Sequence, residues 1–568
     1  CVIDTAFCLK RNPLAGFKTE KRTIMSQSLF EQHQDTLQGA LTAIRTRDYW
    51  SPYPESPSPR KYGETADKDG QAAFKAHLNG SFELKMPGIT GEAGSEVSPY
   101  GFDLGVKYPT VDIDVLLPAM KDAQKAWRDI GVDARAGICL EILKRINARS
   151  FEIGYGVMHT SGQGFMMAFQ AGGPHAQDRG LEAVAYGYEA MTSAPGAATW
   201  TKPQGKHDPL VLDKKFTVVG RGVGLVIGCS TFPTWNTYPG MFASLVTGNP
   251  VVVKPHPAGI LPAAISIQIA QEVLEEQGLP PHIVSMVIDA DPAQPCTKEL
   301  AQHAAVKLID FTGNTAFGDW LEQNCPQAQV YTEKAGVNTI IVDSTDNFKG
   351  MIQNLSFTLS LYSGQMCTTP QDIFIPADGI ETDQGHKSFD DVASALATGL
   401  DKFLSDPERA GMVLGCIQAE VTDKRIDNAK ALGTVVRDSD RPVNPWFKEA
   451  RMRSPLLLSI DADKEDTYME ELFGPITFLI KTDSTNHSVQ LAHKAVSNHG
   501  AITMGCYTTT DAVLDQIEEA ALDCGVALSS NLTGGVFVNQ SAAFSDFHAT
   551  GCNPAANACL SDLAYVAN

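Results

Sequence analysis

The feature that most constrains the fold is an alternation of short apolar runs with helical segments, which begins at residue 223. Strand-like runs at 223–228, 251–254, 284–288 and 307–312 are separated by segments whose apolar residues have helical spacing. Short strands that alternate with helices pair in parallel through right-handed crossovers. The sequence therefore predicts an α/β protein with a Rossmann-type parallel sheet.

A second strand and helix region begins near residue 338 and runs to about residue 538, where the strand-like GGVFVN (534–539) is expected to end it. Two α/β units in succession predict a cleft between domains, where ligands usually bind. The segment 198–218 interrupts the helical pattern, and we predict that it forms a protruding hairpin.

Charge and cysteine content exclude several classes of protein. The 568 residues carry a net charge of -21, which opposes binding to a nucleic-acid backbone. No run approaches the roughly 18 apolar residues of a membrane span. The twelve cysteines lack C-x-x-C spacing, and His548, Cys552 and Cys559 match no common zinc pattern. We expect a cytoplasmic protein with reduced thiols and no metal, nucleic-acid or membrane partner.

The glycines at 220, 222, 224 and 228 do not form a dinucleotide fingerprint. They precede and line the predicted strand, whereas G-x-G-x-x-G opens a helix after one, so we interpret them as close-packing positions. Gly313 and Asn314 follow the strand at 307–312, where a helix N-terminus favours a phosphate. By itself this junction is a weak signal, because many βα turns contain glycine for steric reasons.

Cys367 is the candidate nucleophile. It lies in a polar loop, SGQMCTTP, between a predicted helix and the strand at 371–375. Most cysteines are buried and inert, but a reactive one needs partial exposure and a nearby base, which such a loop can provide. Glu333, in VYTEKAG, precedes a glycine-containing turn and is a candidate base, although a lone glutamate is more often a surface residue.

Five segments together resemble the aldehyde dehydrogenase superfamily. They are VVVKPHP (251–257), FTGN (311–314), TEKAG (332–336), GQMC (364–367) and EELFGP (470–475), in the family's order and with its spacing from glutamate to cysteine. Within the superfamily, STFPTWNTYPG (230–240), KPHP and NQSAAFSDFHATGCNPAANA (539–558) look most like the PaaN-type proteins of phenylacetate degradation.

The resemblance implies a domain plan. Residues 25–197 and 219–334 would form the cofactor-binding domain and residues 335–538 the catalytic domain. The predicted hairpin at 198–218 and the segment 539–568 would be oligomerisation elements of a homodimer or homotetramer. Residues 1–24 carry five basic and two acidic residues before Met25, and we interpret them as an upstream extension.

The resemblance also implies the chemistry. Cys367 would attack the aldehyde to give a thiohemiacetal, which becomes a thioester when hydride passes to the nicotinamide cofactor. Glu333 would activate the water that hydrolyses the thioester. Relatives that transfer the acyl group to coenzyme A usually lack this glutamate, so its presence favours a free acid product. The residues expected to bind the cofactor are Lys254, Gly313, Asn314, Lys334, Glu471 and Phe473.

Two positions depart from the family pattern. The family's oxyanion-binding Asn corresponds by spacing to Thr231, and Asn236 is the alternative if the following helix is about one turn shorter. Pro257 stands where NAD-preferring members commonly have a Glu that binds the adenosine ribose. Without that carboxylate a 2'-phosphate meets no repulsion and could pair with Lys254 or His256, so the sequence favours NADP over NAD.

The substrate is the least constrained part of the prediction. The PaaN-type resemblance suggests a ring-opened coenzyme A thioester semialdehyde from phenylacetate catabolism. One alternative is the corresponding semialdehyde dehydrogenase of benzoate degradation. The other is a catalytically weak protein with this fold and a binding or structural role, which the missing Asn supports and the retained Cys367 and Glu333 oppose.

Overall fold

The structure is a computed structural model that describes residues 28–291, 293–334, 336–536, 544 and 548–567. The interpretation of residues 1–24 therefore lies outside the described residues. No helix in the described ranges is both long enough and apolar enough to cross a membrane.

The first sheet consists, within the described ranges, of five parallel strands. Their spatial order is Gln329–Lys334, Val306–Gly313, Val223–Ile227, Val251–Lys254 and Val284–Met286. Strands covered on both faces need continuous apolar runs, and Val223–Ile227 and Val251–Lys254 are buried at every position. The parallel sheet predicted from the alternation is confirmed.

Helices cover this sheet. They are Ile113–Asp129, Val132–Ala148, Ser150–Ser161, Pro174–Thr192, Tyr238–Val246, Leu261–Glu276 and Thr315–Asn324. In Leu261–Glu276 the predicted inner face is buried, and the chain leaves the helix at Gly278, whose φ of +68° suits glycine.

The predicted glycine packing is also confirmed. A Cβ on Gly220 would lie 2.2 Å from the Gly248 carbonyl oxygen, and one on Gly224 would lie 2.6 Å from Ser244 Oγ. These glycines therefore allow neighbouring elements to approach the first strand of the sheet.

The second sheet contains seven strands among the described residues. Their order is Thr434–Arg437, Leu456–Asp461, Ile476–Thr482, Asp372–Pro376, Thr339–Val342, Thr503–Tyr507 and Ala527–Ser530. All neighbours are parallel except Thr434–Arg437, which pairs antiparallel at the edge. The strand predicted at 534–539 is wrong for residues 534–536, which form a turn, and the remaining positions lie outside the described residues.

A two-stranded arm projects from the molecule. Its strands, Ala197–Gln204 and His207–Lys215, pair antiparallel and are exposed at every position. The hairpin predicted at 198–218 is thus confirmed, whereas its role in assembly stays a prediction.

The C-terminal segment 548–567 packs on the chain's own first sheet. The backbone N–H of Lys334 donates to the Ala555 carbonyl, and Thr332 N–H donates to Asn557 Oδ1 at 2.9 Å. These bonds hold the segment along the edge strand Gln329–Lys334, close to the predicted base. The described part of 539–568 therefore contacts its own subunit, and its predicted role in assembly is untested.

Candidate active site

A left-handed turn presents Cys367. Helix Phe348–Ser360 ends before Tyr362, Ser363 and Gly364, whose φ values are +50°, +47° and +63°. Residues other than glycine avoid this region, so the turn needs support from its surroundings. Ser363 Oγ bonds the carbonyl oxygens of Leu414 and Arg453, at 3.0 and 2.7 Å. Surrounding backbone thus fixes a strained turn just before Cys367.

The EELFGP segment packs directly against this turn. A Cβ on Gly364 would lie 2.7 Å from the carbonyl oxygen of Gly474, so the two backbones touch where each has glycine. On the other side of the nucleophile, Asn338 Nδ2 donates to the Cys367 carbonyl at 2.7 Å. These contacts hold EELFGP and the segment that carries Cys367 together in the folded chain, although the two are distant in sequence.

Glu333 reaches the same place from the first sheet. It lies near the end of the edge strand, in register with Thr312 of the neighbouring strand. Asn236 Nδ2 donates to Thr312 Oγ1 at 3.1 Å and contacts Glu333 Oε1 at 3.4 Å. The predicted base therefore lies at the carboxyl end of a parallel sheet, where such folds bind ligands.

His548 joins the two predicted catalytic residues. Its Nε2 lies 3.4 Å from Cys367 Sγ and 3.0 Å from Glu333 Oε1. Among the described residues, these three form the set of His, Cys and acidic side chains whose ligand atoms lie within 4.8 Å of one another. His548, Cys552 and Cys559 do not form such a set there, so the zinc pattern rejected from spacing is also not formed in space.

The pKa values of Cys367 and Glu333 are shifted in opposite directions. Burial raises the pKa of the Cys367 thiol well above its usual range, and the charge of Glu333 adds to this effect. Burial also acts to raise the pKa of Glu333, but His548, Arg179 and Asn236 outweigh it and hold that pKa below its ordinary value. Glu333 is thus ionised at neutral pH, while the thiol needs help to lose its proton.

The two candidates for the oxyanion donor both line the cleft at Cys367. Thr231 Oγ1 lies 3.9 Å from Cys229 Sγ, and the Thr231 carbonyl accepts a bond from Gln163. Asn236 lies just before helix Tyr238–Val246 and borders the spaces on both sides of Cys367. The spacing argument favoured Thr231, but the structure brings the alternative, Asn236, into contact with Glu333.

A cleft of about 280 Å³ opens on one side of Cys367 and Glu333. Four predicted cofactor residues line it with accessible groups, namely Gly313, Asn314, Glu471 and Phe473. Asn314 also caps helix Thr315–Asn324 by accepting a bond from Phe317 N–H at 2.9 Å. Burial raises the pKa of Glu471 to about 7.

Lys334 lines the same cleft but uses its charge elsewhere. Its Nζ contacts Asp319 at 2.8 Å and Glu322 at 3.1 Å. The ammonium group is therefore paired with helix Thr315–Asn324.

A second space of about 280 Å³ contains Lys254, at the end of its strand. Lys254 Nζ lies 2.9 Å from Asp289 Oδ2, and both side chains are buried. Desolvation by the surrounding atoms and the adjacent Lys254 charge lower the pKa of His256, although its side chain is partly exposed to solvent.

A chamber of about 380 Å³ opens on the opposite side of Cys367. Its wall includes four methionines and three aromatic residues: Met166, Met167, Met366, Met412, Phe232, Trp235 and Phe357. Glu55 and His175 are also present, and no Lys or Arg is found among the described lining residues. The two spaces meet at Cys367, which borders both.

Three residues near the predicted sites were missed. His548 is 181 residues from Cys367, and Asp289 is 35 residues from Lys254. Arg179 lies over the Trp235 ring at 5.1 Å, and its charge lowers the pKa of Glu333. Cys229, one of the cysteines interpreted as background, also lines the cleft. His548 lies in the segment 539–558 noted in the sequence, but nothing in that segment connects it to Cys367, and only the folded chain brings these residues to the site.

Comparison with known proteins agrees with this arrangement. The model of the aldehyde dehydrogenase family matches residues 107–528. The crystal structure of an NAD-dependent aldehyde dehydrogenase from Burkholderia multivorans is 54% identical, covers 95% of this chain and 97% of that chain, and has a TM-score of 0.93. Curated relatives include vanillin dehydrogenase of Corynebacterium glutamicum, 24% identical over 76% of this chain and 84% of the relative. Benzaldehyde dehydrogenase [NAD(+)] of Pseudomonas putida is 22% identical over 72% and 75%.

The chain therefore belongs to the aldehyde dehydrogenase family, whose members oxidise aldehydes to acids. The predicted fold class is confirmed by these matches. The resemblance is thereby confirmed at the level of the family, and the PaaN-type subfamily stays a prediction.

Proposed function

We propose that the protein oxidises an aldehyde to the free carboxylic acid, with Cys367 as nucleophile and Glu333 as the base for hydrolysis. The observation that carries this proposal is their joint position in the cleft, beside the chamber that Cys367 also borders. The aldehyde would enter the chamber and the nicotinamide end of the cofactor would enter the cleft. When bound, the cofactor supplies the hydride acceptor.

Each residue then has a defined task. The Cys367 thiolate forms a C–S bond to the aldehyde carbon, and the carbonyl electron pair moves to oxygen. Asn236, or by spacing Thr231, would donate a hydrogen bond to that oxygen. Loss of hydride leaves a thioester on Cys367, and Glu333 removes a proton from the water that cleaves it.

The role of Glu333 gives the first prediction. We expect Glu333→Gln to form about one equivalent of reduced cofactor per subunit and then to stall, because the amide cannot accept the water proton. Stopped-flow absorbance and intact-protein mass spectrometry would detect the burst and the trapped acyl group. Continued turnover to free acid at the wild-type rate would contradict the hydrolytic role of Glu333. Chromatography would show whether the product is the free acid or a coenzyme A thioester.

For the substrate, we propose the ring-opened coenzyme A thioester semialdehyde suggested by the PaaN-type resemblance. The methionine and aromatic wall suits its hydrocarbon portion. Because the described lining contains no Lys or Arg, the coenzyme A phosphates would lie outside the chamber. Aromatic aldehydes are a second candidate, supported by the same wall and by relatives named for vanillin and benzaldehyde.

For the cofactor, we propose NAD. The sequence favoured NADP because Pro257 replaces a ribose-binding carboxylate. Asp289 supplies a carboxylate beside Lys254, in the space that would hold the adenosine ribose. Asp289 would accept hydrogen bonds from ribose hydroxyls, and its ion pair with Lys254 leaves that cation less available to a 2'-phosphate, so we propose NAD as the preferred cofactor.

One assay tests these proposals together. Purified protein would be given benzaldehyde, vanillin, simple semialdehydes and a coenzyme A thioester semialdehyde, each with NAD and with NADP. We expect the highest kcat/KM with the thioester semialdehyde and NAD, and no turnover by Cys367→Ala. If no aldehyde is oxidised, the proposed function is wrong. If benzaldehyde gives the highest kcat/KM, an aromatic aldehyde replaces the thioester semialdehyde as the proposed substrate.

A further inference from the structure

His548 has no role in the chemistry assigned so far, yet it contacts both catalytic residues. Its Nε2 lies 3.4 Å from Cys367 Sγ and 3.0 Å from Glu333 Oε1. We propose that His548 is a further catalytic residue, which takes the thiol proton of Cys367 at Nε2 and returns it when the thioester is cleaved. This inference rests on the proposed function.

The geometry favours proton uptake at this nitrogen. Both contacts converge on Nε2, so in the neutral ring protonated at Nδ1 the Nε2 lone pair faces a carboxylate oxygen at 3.0 Å. That arrangement is repulsive, and a proton on Nε2 turns the repulsion into a charge-assisted hydrogen bond. The thiol of Cys367 is the proton donor within reach of the same lone pair.

The surroundings of Cys367 require such a partner. Burial and the neighbouring carboxylate raise the pKa of the thiol, so a free thiol there would stay protonated at neutral pH. An imidazolium 3.4 Å from the sulfur would compensate the charge of the thiolate. Glu333 would in turn stabilise the imidazolium by accepting a hydrogen bond from Nε2–H.

The ring of His548 is held in this position. Trp235 lies against it, with ring centroids 5.8 Å apart and the planes at 70°. The backbone bonds of 555–557 to the edge strand anchor the segment that carries it. The contact to both catalytic side chains is therefore part of the packed structure around the site.

The proton balance closes over one cycle. The S–H bond of Cys367 breaks, its proton binds Nε2, and the sulfur electron pair attacks the aldehyde carbon. During hydrolysis Glu333 takes a proton from water, and hydroxide adds to the thioester carbon. The C–S bond then breaks with its electron pair returning to sulfur, the imidazolium gives its proton back to that thiolate, and Glu333 releases its proton to solvent.

Several other ionisable groups face Cys367 and His548 and would shift any titration. They are Glu333, Asp310, Arg179, Glu471, Cys229 and Tyr565. For this reason the test compares variants with the wild type rather than interpreting a single pH profile.

The test measures the reactivity of Cys367 itself. Iodoacetamide labelling, followed at the Cys367 peptide by mass spectrometry, reports the thiolate fraction as a function of pH. We expect His548→Gln to lower the labelling rate at pH 7 about tenfold or more and to move its inflection to higher pH than in the wild type. We expect kcat/KM to fall about 100-fold. His386→Gln, on a distant exposed hairpin, is the matched control and should match the wild type.

A second variant separates chemistry from folding. His548→Ala should recover part of its labelling rate when imidazole is added, and circular dichroism would verify the fold. An unchanged labelling profile in His548→Gln, or no imidazole effect on folded His548→Ala, would overturn the proposal. Labelling needs no aldehyde, so it tests the role of His548 independently of the proposed function. A failure of the proposed function would appear only in the substrate assay of the wild type.

Discussion

At the scale of single residues, Asn236 and Thr231 make competing claims to the oxyanion. Asn236 contacts Glu333 and borders both spaces at Cys367, so we expect Asn236→Ala to lower kcat about 100-fold. The Thr231 hydroxyl lies beside Cys229, and we expect Thr231→Val to have a much smaller effect. Steady-state kinetics on folded variants would decide, and the opposite order would restore the assignment by spacing.

Cys367 and Glu333 could be selected as candidates from the sequence because each lies in a short segment with a characteristic neighbourhood, and the structure brings both to the same cleft. His548 and Asp289 could not be selected in this way, since their partners lie 181 and 35 residues away and no spacing rule connects them. The choice between Thr231 and Asn236 depended on where a helix begins. Element boundaries are the least certain part of a sequence-based prediction, and a shift of one turn changes which side chain reaches a site.

At the scale of elements, the turn before Cys367 is the part that substitution should disturb most. We expect Gly364→Ala to destabilise the protein by about 2–3 kcal/mol and to lower kcat, because φ is +63° and a Cβ would meet the Gly474 carbonyl. Gly385→Ala is the control, since Gly385 has φ of +85° but nothing within 4 Å of a Cβ.

Strain alone predicts a loss of about 1–2 kcal/mol in Gly385→Ala. Thermal unfolding and kinetics of both variants therefore isolate the effect of the close approach. Equal losses of stability, with activity retained in Gly364→Ala, would show that contact with Gly474 does not position the nucleophile.

The EELFGP segment also makes a prediction about pH. The pKa of buried Glu471 is raised from 4.5 to about 7, so its neutral form is favoured in the folded state. The stability it contributes is present below about pH 4.5 and is lost as the pH rises through 7. We expect Glu471→Gln to lack this loss and to gain up to about 3 kcal/mol relative to wild type between pH 5 and pH 8.

Guanidinium unfolding at the two pH values would measure that difference. Parallel changes in wild type and Glu471→Gln would contradict the raised pKa. The same substitution should raise the KM for the cofactor. That result would show that the carboxylate, although it destabilises the fold, contributes to cofactor binding.

The sequence predicted elements well where burial was complete. Val223–Ile227 and Val251–Lys254 are continuous apolar runs because both faces are covered. The predicted strand at 534–539 begins with two glycines, and its described residues 534–536 form a turn; the last strand of the second sheet is Ala527–Ser530. Composition identifies a segment that is able to pair, whereas the available sheet edge decides whether it does.

At the scale of the whole molecule, the arm predicts assembly. It exposes Trp200, Leu210, Val211 and Leu212, and exposed apolar side chains on a two-stranded ribbon are stabilised by contact with another surface. We expect the wild type to be a dimer or tetramer and Leu210→Asp/Leu212→Asp to weaken assembly by about 2 kcal/mol for each leucine. Light scattering after size-exclusion chromatography would measure the masses.

Val443→Asp/Leu522→Asp is the control, because both residues are exposed outside the arm. This variant should keep the wild-type mass. A monomeric wild type, or an unchanged mass in the arm variant, would contradict the role of the arm.

The two spaces that meet at Cys367 have a consequence for the order of events. An acyl group on the sulfur would occupy the chamber and leave the cleft on the other side unobstructed. Reduced cofactor could therefore depart while the acyl group is still attached, and its departure would open a route for water to Glu333. The turnover rate would then depend on the release of reduced cofactor from the cleft as well as on the chemical steps at Cys367.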